Sequence, residues 1–300
     1  MRSRPLEQEA VMVADGPVVI ALDGGPHSAH TLRWGLQEAE RRGADVLLVH
    51  AWQEPYEVSP LGWYAPFIPL GLDRDAQAYL DAQRERATAA HPGLRVDTRA
   101  VQGAAVPAIL AAAEGAQLLV IGASGRADGS RLSSVAGHVA AHAPVPVAVV
   151  RQAAADGPAG PVVVGVDGSA TSLAAARTAA RAASSREVPL VLVHARPTVE
   201  DPYGTHDAPV PLPPDEAGAA HHAASRLAQD LREEHPGLQV DVEVVEDSPA
   251  HALAARSVGS DLVVVGCRGL GAFRGMLLGS VSHDVLRTAA SSVLVGRAEA

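Results

Sequence analysis

The chain states nearly the same sequence twice, 144 residues apart. Asp23, behind Val18-Val19-Ile20-Ala21-Leu22, returns as Asp167 behind Val162-Val163-Val164-Gly165-Val166. Val49-His50-Ala51 returns as Val193-His194-Ala195, and His91-Pro92-Gly93-Leu94 as His235-Pro236-Gly237-Leu238. Gly122-x-x-Gly125 returns as Gly266-x-x-Gly269, with no gap up to that point. A period this long exceeds a solenoid unit and fits a whole domain. The chain therefore folds as two copies of one architecture, and differences between the copies are readable as differences in chemistry.

Within each copy, short runs of Val, Leu and Ile alternate with longer amphipathic stretches. The first half reads as strand 18–22, helix 28–42, strand 46–51, helix 74–90, strand 95–101, helix 107–113, strand 118–121, helix 134–142 and strand 145–150. The second half repeats the order, with strands at 162–166, 190–195, 239–245, 262–265 and 292–296. Continuously apolar strands alternating with helices imply βαβ crossovers and a parallel sheet covered on both faces. The expected domains are 17–151 and 162–300, with a mobile tail over 1–16 and an Ala/Gly/Pro-rich linker over 152–161. A Pro-rich loop over 52–72 gathers most of the aromatics and reads as a lid or a contact surface.

Composition removes several functions. A net charge of −10 argues against nucleic-acid and anionic-membrane partners. One cysteine, Cys267, supports neither a disulfide framework nor a structural zinc site, and with no apolar leader or spanning segment it points to the cytoplasm. Next to the loop described below, Cys267 is either a small filler or a modifiable thiol. All 24 basic residues are arginine, so a Walker A loop and a pyridoxal-phosphate Schiff base are both excluded.

In a sheet of this kind a ligand binds beyond the carboxyl ends of the strands, where the strand order turns back. Those ends carry Asp23, His50-Ala51 and Gly122 in one half, and Asp167, His194-Ala195 and Gly266 in the other. The second half continues Gly266-Cys267-Arg268-Gly269, nine residues, then Gly279-Ser280 opening a helix. Glycines admit a polyanion close to the backbone, and a helix N-terminus offers unpaired N–H groups and the positive end of the dipole. With Arg268 and Arg274 as cations, this is a phosphate cradle that needs no lysine.

The pattern G-x2-G-x9-G-[S/T] behind an apolar strand, with an Asp closing the first strand, is similar to that of the universal stress protein family, and the similarity spans both halves. It implies two tandem doubly wound α/β domains of the adenine nucleotide α-hydrolase-like fold, related by a pseudo-two-fold axis, with the last strands pairing across it (145–150 against 292–296). It also implies ATP binding, with Mg²⁺. Asp167 would meet the adenosine moiety with Gly165 close by, and Ala195 would offer backbone to the adenine edge. Val265, Gly266, Arg268 and Gly269 would line ribose and phosphates, and Gly279, Ser280 and Val281 would hold the phosphates. In the first half only seven residues separate Gly125 from Ser133, which replaces the last glycine. Its β-carbon is expected to obstruct a phosphate or to demand an awkward backbone. Asp23, Ala51, Ile121, Gly122, Gly125, Ser134 and Val135 then form a weaker ATP site, or none.

Other readings are weaker. Asp23 and Asp167 also suit turn caps, and His50 and His194 read as structural. Gly269-x-Gly271-x-x-x-Gly275 follows the wrong strand for a dinucleotide fingerprint, and Asp23-Gly24-Gly25-Pro26-His27-Ser28 matches a pyrophosphatase loop only in part. Ser280, Ser282, His283 and Asp284 are too close on one helix to form a triad. His138 and His142 lack a third ligand for a metal. No residue stands out as a catalytic base, so hydrolysis would be slow at most. The expected function is nucleotide-dependent stress sensing through an unknown protein partner, with a homodimer of tandem chains as a candidate assembly. The rivals are an ATP-hydrolysing or adenylyl-transferring enzyme and an ATP-independent scaffold that dimerises through its last strands.

Overall fold

Ten short strands among the described residues, most of them too apolar to face water, define the molecule. The computed structural model describes residues 16–53, 71–123, 132–151, 160–196, 214–269 and 277–297. The tail, most of the aromatic loop and of the linker, Gly125, Arg274 and the Gly271–Gly275 run lie outside the described residues.

The first half runs β1 (Val18–Ala21), α1 (Ser28–Arg42), β2 (Val46–Trp52), α2 (Leu72–Ala90), β3 (Val96–Gln102), α3 (Ala105–Ala112), β4 (Leu118–Gly122), α4 (Ser134–His142) and β5 (Val147–Val150). The second runs β6 (Val162–Gly165), α5 (Ala170–Arg186), β7 (Leu190–Arg196), α6 (Pro214–Glu234), β8 (Val240–Glu246), α7 (Pro249–Arg256), β9 (Leu262–Gly266), α8 (Ser280–Thr288) and β10 (Ser292–Gly296). Elements agree with the sequence reading to within three residues at most ends.

All ten strands join one sheet in the order β3-β2-β1-β4-β5-β10-β9-β6-β7-β8. Pairing is parallel within each half, and β5 meets β10 antiparallel, with Val149 opposite Val293 and Val147 opposite Val295. The expected pairing of last strands is thus present, made within one chain. Helices α1, α2, α5 and α6 cover one face and α3, α4, α7 and α8 the other, and each hydrophobic core runs through both halves. No described helix is long and apolar enough to cross a membrane.

The halves are not interchangeable in detail. A β-carbon on Gly35 would lie 2.6 Å from Ile20. Their counterparts are Ala179 and Val164, both fully buried. One methyl has moved from strand to helix, which keeps the packed volume nearly constant.

Two sets of charged groups tie the halves together. Behind the last strands, Arg151 donates to the carbonyl of Leu286 at the end of α8. Its counterpart Arg297 donates to Ala140 and Ala141 at the end of α4, at 2.9 and 3.0 Å. Each half thus supplies a cation to the exposed carbonyls of the other's helix C-terminus. On the opposite face, Arg42 and its repeat equivalent Arg186 both converge on Glu38, at 2.7 and 2.6 Å. Arg186 also binds Asp261 at 2.8 Å and lies over the Trp34 ring. Glu38 has Ala182 as its counterpart, so a single carboxylate serves two symmetry-related arginines.

Burial pushes the Glu38 carboxyl up, but Arg186 and Arg42 outweigh it and hold the group below its ordinary value of 4.5. A depressed carboxyl contributes its full stability above its unfolded value and loses it as pH falls through the folded one. We therefore expect Glu38→Ala to lower unfolding free energy in urea by about 3 kcal/mol, because it removes the carboxylate that Arg42 and Arg186 share and leaves the buried Arg186 with Asp261 alone. We expect Glu38→Gln to flatten the stability loss below pH ~4.5. An unchanged acid slope in Glu38→Gln would remove Glu38 as its source.

Candidate functional site

Strand order turns back between β1 and β4 in one half and between β6 and β9 in the other. At each reversal the carboxyl ends of the strands diverge and leave a cavity, as expected for this topology.

The second-half cavity measures about 400 Å³ and is lined by Gly165, Val166, Asp167, Ser172, Val193, Ala195, Pro249, Leu253, Val265, Gly266, Arg268, Gly269, Gly279, Ser280, Val281 and Ser282. All ten residues singled out in this half by sequence lie on it. Ser172, Pro249, Leu253 and Ser282 were not singled out. Ser172 had a signal, since it repeats Ser28 at the common offset. Leu253 is an ordinary core residue of α7 until the fold aims it at Gly165, where a β-carbon would sit 2.8 Å away.

Asp167 does two things. Its Oδ1 accepts from the Ser169 N–H at 2.9 Å, which holds the turn into α5. Its other oxygen points at the glycine loop, where a β-carbon on Gly269 would lie 2.6 Å from Oδ2. The turn-cap reading therefore holds, and the second oxygen lies on the cavity side of the turn. Thr171 at the start of α5 donates to the Arg268 carbonyl, Gly279 N–H donates to Cys267 O at 2.8 Å, and Ser282 donates to Gly266 O at 2.6 Å. These bonds pin the loop to α5, β9 and α8. Arg268 is exposed at the mouth, whereas Cys267 is buried in the core as a filler.

The opening of α8 is chemically unspent. Gly279, its N-cap, has no side chain and makes no cap bond. Ser133, the counterpart in the first half, occupies the same backbone conformation, with φ −70° and ψ 153° against −72° and 156°. The expectation of an awkward backbone is therefore corrected, because these are extended angles open to any residue. What differs is the side chain: Ser133 Oγ accepts the Ala136 N–H at 3.1 Å and caps its own helix.

The first-half cavity is smaller, about 230 Å³, and is lined by Asp23, Ala51, Ile121, Gly122 and Val135 of the expected residues. Ser134 faces instead an open groove between α4 and α8, which Gly279 and Ser280 also line. Gly125 lies outside the described residues. Asp23 Oδ1 accepts from Gly25 N–H at 2.8 Å and Ser28 Oγ at 2.7 Å, in an Asx-type turn.

His50 and His194 are structural, as read. The Nδ1–H of each donates to the carbonyl after the neighbouring strand, Leu22 O and Val166 O, at 2.8 Å in both halves. His138 and His142 spend Nδ1 on helix carbonyls, and among the described residues no cluster of acids, histidines and cysteine suits a metal.

This fold and this pair of sites define a tandem α/β protein with a glycine-rich loop in each repeat. The family model for the universal stress protein family matches residues 16–151 and 159–297, and the chain belongs to that family. It is 34% identical over 295 residues to Universal stress protein Rv2623 of Mycobacterium tuberculosis, covering 93% of this chain and 96% of the relative. It is equally identical over 292 residues to Universal stress protein Rv2005c of that species, with the same coverage. A universal stress protein structure from Archaeoglobus fulgidus superposes with a TM-score of 0.67 at 20% identity, covering 95% of this chain and 97% of that one.

His194→Ala and His50→Ala each remove one hydrogen bond between neighbouring strand ends. Each is expected to cost about 1 kcal/mol in urea unfolding. No loss in either variant would refute the structural role.

Proposed function

We propose that the second half binds ATP and that occupancy sets a conformation which a protein partner reads, making the chain a nucleotide-dependent regulator of the stress response. In this reading residues 17–151 and 162–300 are separate domains joined by the linker 152–161. The observation that carries it is the convergence, in one cavity, of a carboxylate, a glycine-lined approach and an uncapped helix N-terminus. The apolar walls from Val193, Ala195, Leu253 and Val265 suit a planar base. Asp167 Oδ2 suits the hydroxyls of a ribose, since an ionised carboxylate only accepts. The N–H groups of Ser280, Val281 and Ser282 at the start of α8 suit phosphates, the Gly279 N–H being held by Cys267 O, with Arg268 at the mouth as counter-charge.

Asp167 is the only acid among the described lining residues. Mg²⁺ would therefore be carried by the triphosphate and water rather than by a protein cage. Among the described lining residues no side chain other than Asp167 could act as a general base, which favours binding over turnover as the working state. A scaffold that dimerises through the last strands is disfavoured, because β5 and β10 already pair with each other within the chain. A homodimer of tandem chains would use another surface.

Calorimetric titration with ATP and Mg²⁺ is expected to show one site per chain. Gly279→Ser, which gives α8 the self-cap that α4 has, is expected to weaken that site about tenfold, equivalent to roughly 1.4 kcal/mol. Gly269→Ala, which drives a methyl into Asp167, is expected to weaken it at least as much. No binding by the parent chain, or unchanged affinity in both variants, would sink the proposal. Multiple-turnover release of phosphate or adenylyl transfer well above background would shift the reading to an enzyme.

A further inference from the structure

We propose that the first-half cavity is a site for an uncharged nucleoside, selective against nucleotides; this rests on reading the second-half cavity as an adenine-nucleotide site. Related walls and a related carboxylate are kept, while among the described residues one helix N–H is withdrawn and no arginine lines the cavity. Ala51 and Ile121 line the first cavity at the repeat positions of Ala195 and Val265. Asp23 stands at the strand end as Asp167 does. Ser28 and Thr31, 7% and 3% exposed, add hydroxyls to the lining.

Among the described residues the anion-binding features are reduced. The Ala136 N–H, third in α4, is already taken by Ser133 Oγ at 3.1 Å. The corresponding end of α8 receives no side-chain cap. Where the second half has Arg268 the first has Ser124, and no arginine is among the described lining residues of the first cavity. A phosphate there would face the Asp23 carboxylate and a helix end with one fewer donor, in a cavity of about 230 Å³ against 400 Å³. Desolvating a dianion without matching donors is strongly unfavourable. A neutral nucleoside leaves no such deficit, and its ribose hydroxyls can donate to Asp23.

The test uses the full chain and two labels, ATP and adenosine, counted together by equilibrium dialysis. With ATP saturating, we expect one adenosine and one ATP per chain. Asp23→Asn is expected to weaken adenosine binding at least tenfold. Ser133→Gly, which frees the α4 N–H, is expected to tighten ATP binding at the first half at least tenfold, so that a second ATP is counted. Two ATP per parent chain, no adenosine uptake by the ATP-saturated chain, or uptake indifferent to Asp23→Asn would each overturn the proposal. Should the parent chain bind no ATP while still taking one Asp23-dependent adenosine, the second-half reading fails and the nucleoside site stands.

Discussion

The antiparallel pairing of β5 with β10 is the contact on which the rest of the molecule depends. Both strands are apolar apart from Ser292 at the start of β10, and both are fully or nearly fully buried. As free edges they would present unpaired backbone and apolar side chains to water, the arrangement that leads to edge-to-edge aggregation. Pairing them turns two five-stranded sheets into one of ten strands, with both cores continuous across the junction. The symmetry of the junction then dictates its trimming. Arg151 and Arg297, immediately beyond the paired strands, reach reciprocally to the carbonyl ends of the other half's helix, as a two-fold interface requires. The Glu38 cluster departs from that symmetry, since one carboxylate between two related arginines has no counterpart across the axis.

The same duplication that builds the sheet also separates the two cavities in chemistry. Up to the glycine loop the halves align without insertion, and both place an aspartate at the first strand end. Beyond it a two-residue difference and one substitution alter the function of a helix terminus. Ser133 and Gly279 share a backbone conformation, so neither strain nor overall shape distinguishes them. The difference is whether the first free N–H groups of the helix are used internally or left for a ligand. An N-cap serine stabilises its helix by about 1 kcal/mol and withdraws a donor in doing so. The two halves thus use the same few atoms to cap the helix in one case and leave its start uncapped in the other.

Much of this was legible in the residues. The repeat identified the number of units, and the Val-rich runs between amphipathic stretches identified a covered parallel sheet. The strand-end aspartates and the Gly266–Gly269–Gly279 spacing pointed to one cavity of the second half, on which the named residues that the structure describes, from Gly165 to Val281, lie. Less legible were the contributions that come from elsewhere in the chain. Leu253 and Pro249 carry no mark of a binding role, because their part depends only on where α7 crosses β6. Ser134 follows the motif position of Ser280, yet it lines the groove beside the helix, whereas Ser280 lines both groove and cavity. The effect of Ser133 was attributed to its β-carbon alone, and the cap made by its hydroxyl was not foreseen.

The sequence by itself determined the number of domains, the layered α/β class, the exclusion of lysine-dependent phosphate sites and the positions of the two candidate sites. These follow from periodicity and residue type, which are local properties of the chain. Only the tertiary structure decided that the last strands pair within the chain, that Arg186 crosses to Glu38 and that Gly269 yields space to Asp167. It also decided that Ser133 consumes the amide its counterpart leaves open. Each of these depends on distances between residues far apart in sequence, or on the direction of one hydroxyl, and neither is encoded in local pattern.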